Sequence, residues 1–324
     1  MKSILITGCA GFIGFHLSLH INDKRYKVVG IDNLNNYYDI NLKKDRLRIL
    51  KKNKKNFIFI KSDLKSSKQL SNIFAKYNFD TVINLAAQAG VRHSIKDPKT
   101  YFDNNIYAFF NLIENCKKYK INHLLTASTS SVYGSSNNFP LKEKYLTDNP
   151  LSFYAASKKT NELLGYSYAN IYQLPITFLR FFTVYGNYGR PDMSLYIFTK
   201  KILNNAKINL HNNGKHVRDF THVSDVVSAI EKLINKKPKK PIPFRVLNIA
   251  SGKPIELKKF VSLIEKNLGK KAKIKKLPLQ KGDVFKTHSS IIEVKKLINY
   301  KPQMTIDRGI KEFVNWFKSY NKIF

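Results

Sequence analysis

The chain has 324 residues, of which 43% are hydrophobic, enough for a sizeable core and too many for a disordered segment. No apolar run reaches about 18 residues, so a membrane-spanning helix is excluded. Two cysteines, Cys9 and Cys116, are too few for a disulfide framework, and a reducing, cytoplasmic setting is expected.

The formal net charge of +35 is extreme. Such a charge favours nucleic acid or an anionic surface. The basic runs are short, however, at 51–55, 236–240 and 270–276, and carry no interleaved aromatics on which bases would stack. A lysine-rich solvated surface is the simpler reading; nucleic acid is not expected, although an anionic substrate would gain from the field.

Residues 3–7 read as a short buried strand. They run into Gly8-Cys9-Ala10-Gly11-Phe12-Ile13-Gly14, and an apolar helical pattern follows at Phe12, Ile13, Phe15, Leu17 and Leu19. A strand, a glycine turn and a helix N-terminus make the phosphate cradle of a dinucleotide-binding unit. Gly8 serves the tight turn, Gly11 the close approach of a pyrophosphate, and Gly14 the packing of helix on strand; Phe12 and Ile13 stand at the helix start. The spacing is GxxGxxG, and an ordinary strand-to-helix turn could look the same. Cys9 reads as a small filler in this turn. The first residues superficially resemble a signal peptide, but the glycines interrupt the apolar stretch.

A second strand, 27–32, ends in Asp32, which lies 32 − 14 = 18 residues beyond the last glycine. That is close to the roughly 20-residue spacing of a carboxylate that accepts adenosine ribose hydroxyls, and it predicts NAD rather than NADP. Asn33 follows it. After the third strand, 57–60, Asp63 either contacts the adenine or caps a helix beginning near Ser66, with Leu64 beside it. The fourth strand, 81–85, ends in Ala86-Ala87-Gln88-Ala89-Gly90, where Ala86 and Ala87 would let a cofactor lie against backbone. A long helix is expected over about 98–119, then a fifth strand, 123–128. Strands alternating with helices predict an α/β fold with a Rossmann-type, doubly wound parallel sheet and ligands along the carboxyl ends of the strands.

The fifth strand ends in Ser128-Thr129-Ser130-Ser131-Val132-Tyr133-Gly134, and Tyr154-Ala155-Ala156-Ser157-Lys158 lies downstream. Tyr154 and Lys158, at i and i+4, share a helix face. A tyrosine of pKa about 10 is a poor base at neutral pH. The Lys158 ammonium and a positive nicotinamide ring would favour the phenolate, and the Thr129 hydroxyl would share its proton. The set makes a general acid/base for a sugar or alcohol oxygen.

At these residues the chain resembles the extended short-chain dehydrogenase/reductases, in particular the nucleotide-sugar epimerases, and among them the UDP-glucuronate 4-epimerases. The resemblance spans GCAGFIG, Asp32-Asn33-Leu34-Asn35-Asn36-Tyr37-Tyr38-Asp39, Ala86 to Arg92, TSSVYG, YAASK, Arg180 to Gly186, Gly189-Arg190-Pro191-Asp192-Met193 and Arg218 to Val223. It implies Tyr154 as the base at the sugar 4-hydroxyl, Thr129 as its partner, Lys158 on the nicotinamide ribose, and NAD retained through each cycle. Related dehydratases carry Asp-Glu after the catalytic threonine, and sugar-acid decarboxylases a Glu before VYG. Ser130 and Ser131 stand there instead, which favours plain epimerisation.

After a sixth strand, 176–181, the chain leaves the sheet. Thr183 is a candidate for a sugar carboxylate, Arg190 for that carboxylate or for the diphosphate, Arg92 a weaker candidate, and Arg218, oriented by Asp219, the resemblance's candidate for the diphosphate. Ser224 would cap the next helix, 238–243 is a proline-rich connector, and 245–250 a strand returning to the sheet. Asp283 lies in a GDV segment near the nucleotide in relatives, with Lys281 where they carry Arg or Pro. Trp316 in the terminal helix, 306–318, reads as core. The histidines show no metal spacing, and no metal is expected.

The expected division is an NAD-binding domain over 1–182, with about 222–250 returning to it, and a nucleotide-sugar lobe over 183–221 and 251–324. Relatives pair through two helices, here near 98–119 and 152–172, so a homodimer is expected. The expected activity is that of a cytoplasmic NAD-dependent UDP-sugar 4-epimerase, with UDP-glucuronate as substrate and a product feeding capsule or lipopolysaccharide synthesis. The alternatives are a 4-epimerase of UDP-glucose or of a UDP-N-acetylhexosamine or its uronate, and a non-catalytic NAD-sensing or RNA-binding relative.

Overall fold

The computed structural model describes residues 1–279 and 282–323; Lys281 lies outside them. Six strands in chain order, β1 (Lys2–Thr7), β2 (Tyr26–Asp32), β3 (Phe57–Lys61), β4 (Thr81–Asn84), β5 (His123–Thr129) and β6 (Ile176–Phe181), lie in one sheet. After β7 (Thr183–Tyr185), β8 (Ile208–Leu210) and β9 (Val217–His222), β10 (Phe244–Ile249) returns to that sheet beside β6. The order is β10-β6-β5-β4-β1-β2-β3, and every pairing is parallel. The central strands are rich in Ile, Leu and Val because helices cover both faces of the sheet; the edge strand β3 stays partly exposed along its length. The chain steps outward from β1 to β2 and β3, then crosses back to β4. The crevice at that reversal is where such sheets take ligands.

One face packs helices Phe12–His20 and Val223–Ile234 on the sheet, through Phe15, Leu17, Val226 and Ile230. The other packs Ser67–Tyr77 and Ala108–Lys118, through Leu70, Phe74, Phe109 and Leu112. A separate core of Leu195, Phe198, Phe260 and Phe313 joins helices Ser194–Leu203, Leu257–Leu268 and Ile306–Tyr320. Beside it stand two small sheets, one of β7, β9 and β11 (Pro254–Glu256), the other of β8 and β12 (Ile274–Lys276). Trp316 lies at the edge of this core and stacks on Tyr320 at 5.2 Å. Among the described residues no helix is long and apolar enough to cross a membrane.

Two expectations are corrected. The 98–119 stretch is not one regular helix: Pro98–Tyr101 and Ala108–Lys118 are α-helical, and Phe102–Tyr107 between them is a π-turn. Ser224 does not cap the helix Val223–Ile234; the His222 ring accepts from the Ser224 amide instead.

Candidate active site

The glycine turn closes on backbone. Gly8 has φ +70°, and a Cβ there would stand 2.8 Å from the Ala86 nitrogen, so the ends of β1 and β4 meet with no room for a side chain. The Gly8 amide donates to Ile31 O at 2.7 Å, which ties the turn to β2. Gly11 is the N-cap of helix Phe12–His20, and no side chain caps it. The first amides of the helix, from Phe12 through Gly14, are therefore left for an anion. A Cβ on Gly14 would enter the Gly8 carbonyl, so the helix approaches as closely as a glycine permits.

Asp32, at the end of β2, accepts from the Ala10 amide at 3.1 Å and from the Leu34 amide at 2.8 Å. It locks the turn against the next loop and still has acceptor capacity for ribose hydroxyls. Asn33 donates to Asp63 at 3.0 Å, and Asp63 also accepts from the Lys65 amide. Of the two readings of Asp63, capping is excluded: Ser66 is the N-cap, and Asp63 turns towards β2. The Leu64 side chain is core. The Ala86 amide donates to Thr7 Oγ1, and Ala87 stays partly open beside it. Burial pushes the Cys9 thiol well up, and its sulfur fills the space a Cβ on Gly30 would take. It is packing, not a nucleophile.

Two basic residues that the sequence reading missed brace this end. Arg46 is fully buried and donates to Ala10 O (2.8 Å), Tyr38 Oη (2.7 Å) and Tyr188 O (2.6 Å). Lys43 donates to Asn35 O (2.8 Å) and Asn35 Oδ1 (2.7 Å). The signal was present: Lys43 and Arg46 share the helix face of Leu47 and Leu50, and a cation on an apolar face calls for buried partners.

Helix Phe153–Tyr172 begins at Ser152, whose hydroxyl accepts from the Ala155 amide, so Tyr154 falls in its first turn and Lys158 one turn later. The Thr129 hydroxyl, at the end of β5, stands beside the Tyr154 phenol; its hydrogen bonds are to Ser131, donating to Oγ and accepting from the amide, each at 3.2 Å. Burial pushes the phenol's pKa up; the nearby Thr129 hydroxyl and the Arg190 charge pull it down. The sequence pointed to Lys158 for that second effect. Its Nζ instead donates to Ala127 O at 3.0 Å, and burial lowers its pKa to about 8. Ser157 Oγ donates to Tyr154 O, and Asn105, within the π-turn, bonds Ser157 and both backbone groups of Gln88. The irregular turn is thus what brings Asn105 under the catalytic helix. One turn beyond Lys158, Glu162 accepts from Ser128 Oγ (2.6 Å) and holds Arg180 of β6 through Nε (2.9 Å) and Nη2 (2.8 Å). This buried ion pair pins the helix to β5 and β6.

The polar candidates from the second half fall into two groups, Thr183 with Arg190, and Arg218 with Asp283 and Arg92. Thr183 and Arg190 line one open depression, shared with Phe12 and Met193. Arg190 faces Tyr154 closely enough to bias its ionisation. Arg92 pairs with Asp283 at 3.5 Å, and Asp283 also acts on Arg218. Arg218 is held by the carbonyls of Val217, Phe285 and Val284. Asp219 does not orient it: it accepts from Ser251 (N and Oγ), Gly252 N and Ser289 N. Adjacent residues on β9 point to opposite faces, so Arg218 and Asp219 serve different neighbours.

Residues 5–313 match the GDP-mannose 4,6 dehydratase family model. The chain is 44% identical over 334 residues to Protein CapI of Staphylococcus aureus, covering 98% of this chain and 99% of that one. It is 41% identical over 319 residues to the UDP-glucuronate 4-epimerase of Thermodesulfobacterium geofontis, covering 98% and 97%. The solved UDP-glucuronic acid 4-epimerase of Bacillus cereus, in complex with UDP-glucuronic acid and NAD, superposes with a TM-score of 0.92 at 33% identity, over 98% of this chain and all of that one. With its glycine cradle, its Thr-Tyr-Lys set and this likeness along nearly its whole length, the chain belongs to the extended short-chain dehydrogenase/reductases, among their nucleotide-sugar epimerases and dehydratases.

Proposed function

We propose that the protein is an NAD-dependent 4-epimerase of a UDP-sugar and that it interconverts UDP-glucuronate and UDP-galacturonate. The observation that carries this reading is the buried Tyr154 phenol, beside the Thr129 hydroxyl and faced by the Arg190 charge, at the carboxyl end of a dinucleotide-binding sheet. The named relatives and the liganded neighbour support it.

The residues present fit NAD. Gly8, Gly11 and Gly14 leave a cradle that any Cβ would fill, the uncapped amides of Phe12, Ile13 and Gly14 suit a pyrophosphate, and the Asp32 carboxylate suits ribose hydroxyls and repels a 2′-phosphate. Asn33, Asp63, Ala86 and Ala87 border the same groove, and Lys158 would meet the nicotinamide ribose. When bound, NAD supplies the oxidation and re-reduction at sugar C4.

This chain's residues handle the proton and the position. Tyr154 takes the proton from the 4-hydroxyl and returns it after the sugar has turned over, and the neighbouring Thr129 hydroxyl shares that proton once it turns from Ser131 to the phenol. Ser130 and Ser131 offer no carboxylate for dehydration or decarboxylation. Thr183 and Arg190 hold the C6 carboxylate, while Arg218 receives the nucleotide diphosphate, with the paired Arg92 and Asp283 beside it. The cofactor half comprises 1–182 with 222–250, and the sugar lobe 183–221 with 251–324; the separate core of Phe198, Phe260 and Phe313 supports this division. The protein acts as a homodimer through helices near 98–119 and 152–172, supported by the exposed Phe102, Phe110, Leu163, Tyr166 and Ile171.

Tyr154→Phe tests the reading: turnover should disappear while NAD stays bound. Turnover that persisted would exclude Tyr154 as the base.

A further inference from the structure

We propose that Asp192 and Tyr37 are positioning residues for Arg190 and that through it they set how strongly the site prefers an acidic over a neutral sugar. This rests on the reading of Arg190 as the carboxylate ligand. The guanidinium is held on three sides. Its Nε donates to Asp192 Oδ1 at 3.0 Å and its Nη2 to Asp192 Oδ2 at 2.5 Å. Nη2 also reaches Ala89 O at 3.4 Å. The Tyr37 ring lies against its face, 5.9 Å from ring centre to the guanidinium carbon, and the Tyr37 hydroxyl donates to Asp192 Oδ2 at 3.3 Å.

Tyr37 is itself lodged by shape. Its hydroxyl stands 2.9 Å from where a Cβ on Gly90 would lie, and Gly90 has φ +122°, so that position is kept for a glycine. Its ring meets His93 edge-on at 5.1 Å. Tyr37 belongs to the loop after β2, which begins with the cofactor carboxylate, and Asp192 to the loop after β7, 155 residues away.

An arginine presents two edges to a carboxylate: Nε with Nη2, or Nη1 with Nη2. Asp192 occupies the first. Among the described residues Nη1 has no hydrogen-bond partner, so its two hydrogens are what the guanidinium has left for substrate. A guanidinium fixed in this way gives those hydrogens one direction. Without that hold they would no longer meet a C6 carboxylate in one place.

The test is calorimetric titration of UDP, UDP-glucose and UDP-glucuronate into NAD-loaded protein, in a Tyr154→Phe background that keeps the sugar from turning over. With Tyr37 and Asp192 intact, UDP-glucuronate should bind about tenfold or more tighter than UDP-glucose, the scale of hydrogen bonds between charged groups. Asp192→Asn should cut that ratio to about threefold or less, Tyr37→Phe should cut it less, and Asp192→Glu should restore part of it. UDP affinity should not change in any of them. A high ratio that survives Asp192→Asn overturns the inference alone. Equal weakening of all three ligands overturns it too, because it marks a purely structural role. A ratio near one before Asp192 is touched removes the uronate reading itself.

Discussion

Replacing Gly14 by alanine puts a methyl group into the closest backbone contact of the cofactor cradle. Its Cβ would enter the Gly8 carbonyl oxygen and lie 2.8 Å from Gly8 C and 3.0 Å from Cys9 Cα. All three are backbone atoms, so no side chain can swing aside. The helix Phe12–His20 must move away, and the amides at its start move with it. Overpacking of this kind costs about 1–3 kcal/mol, and the better helix propensity of alanine returns up to about 1 kcal/mol. The remaining ~0–2 kcal/mol falls on the turn that would hold the pyrophosphate, which is a loss of up to about thirtyfold in NAD affinity. Gly269→Ala is the control. Gly269 also ends a helix with φ +66°, but nothing lies within 4 Å of its Cβ, so its cost is left-handed strain of about 1–2 kcal/mol with no effect on NAD. NAD content after purification, NAD titration and thermal melting separate the two. A Gly14→Ala protein with native NAD affinity and a lowered melting temperature would refute the reasoning, because the close approach would then serve packing alone.

Other outcomes follow from the buried charges and the exposed helix faces. Burial pushes His16 and His123 down to about 4. Between pH 6.5 and 4 the unfolded chain binds protons that the folded chain does not, so stability is lost as pH falls through that window, by up to about 1.4 kcal/mol per pH unit for each histidine. Urea unfolding at pH 7, 6 and 5 should show a flatter dependence in His123→Gln, and parallel slopes would count against it. Glu162→Ala leaves Arg180 unpaired at a site where both side chains are 4% exposed, and should cost about 3–5 kcal/mol in denaturant unfolding; a cost below about 1 kcal/mol would mean that water reaches the pair. Leu163, 60% exposed on helix Phe153–Tyr172, should convert a dimer to monomer when changed to Glu, read by sedimentation; an unchanged dimer would place the contact elsewhere.

The parts legible in the sequence are those whose geometry is local. The glycine turn constrains residues within about two helical turns of each other, so its spacing, together with Asp32 at the next strand end, points to the cradle. Asp32 sits at a strand end, and Tyr154 and Lys158 share a helix face by simple periodicity. The parts that escaped depend on partners far along the chain. The buried set around Arg46 is completed by Tyr188, 142 residues away, and Tyr37 meets Asp192 across 155 residues. The π-turn at Phe102–Tyr107 leaves no mark in an apolar period, yet it positions Asn105. Asp219 misled because sequence neighbours on a strand were treated as spatial partners, and the pleat separates them. Tyr154's cation was sought one helical turn away at Lys158, whereas Arg190 approaches from another loop.

The most direct measurement is incubation of the purified protein with UDP-glucuronate, without added NAD, followed by separation of the sugar nucleotides and proton NMR of the product. The account predicts an equilibrium mixture with UDP-galacturonate, no loss of carbon dioxide, and no such mixture with Tyr154→Phe. Unchanged UDP-glucuronate alongside conversion of UDP-glucose or its N-acetyl analogue would contradict it.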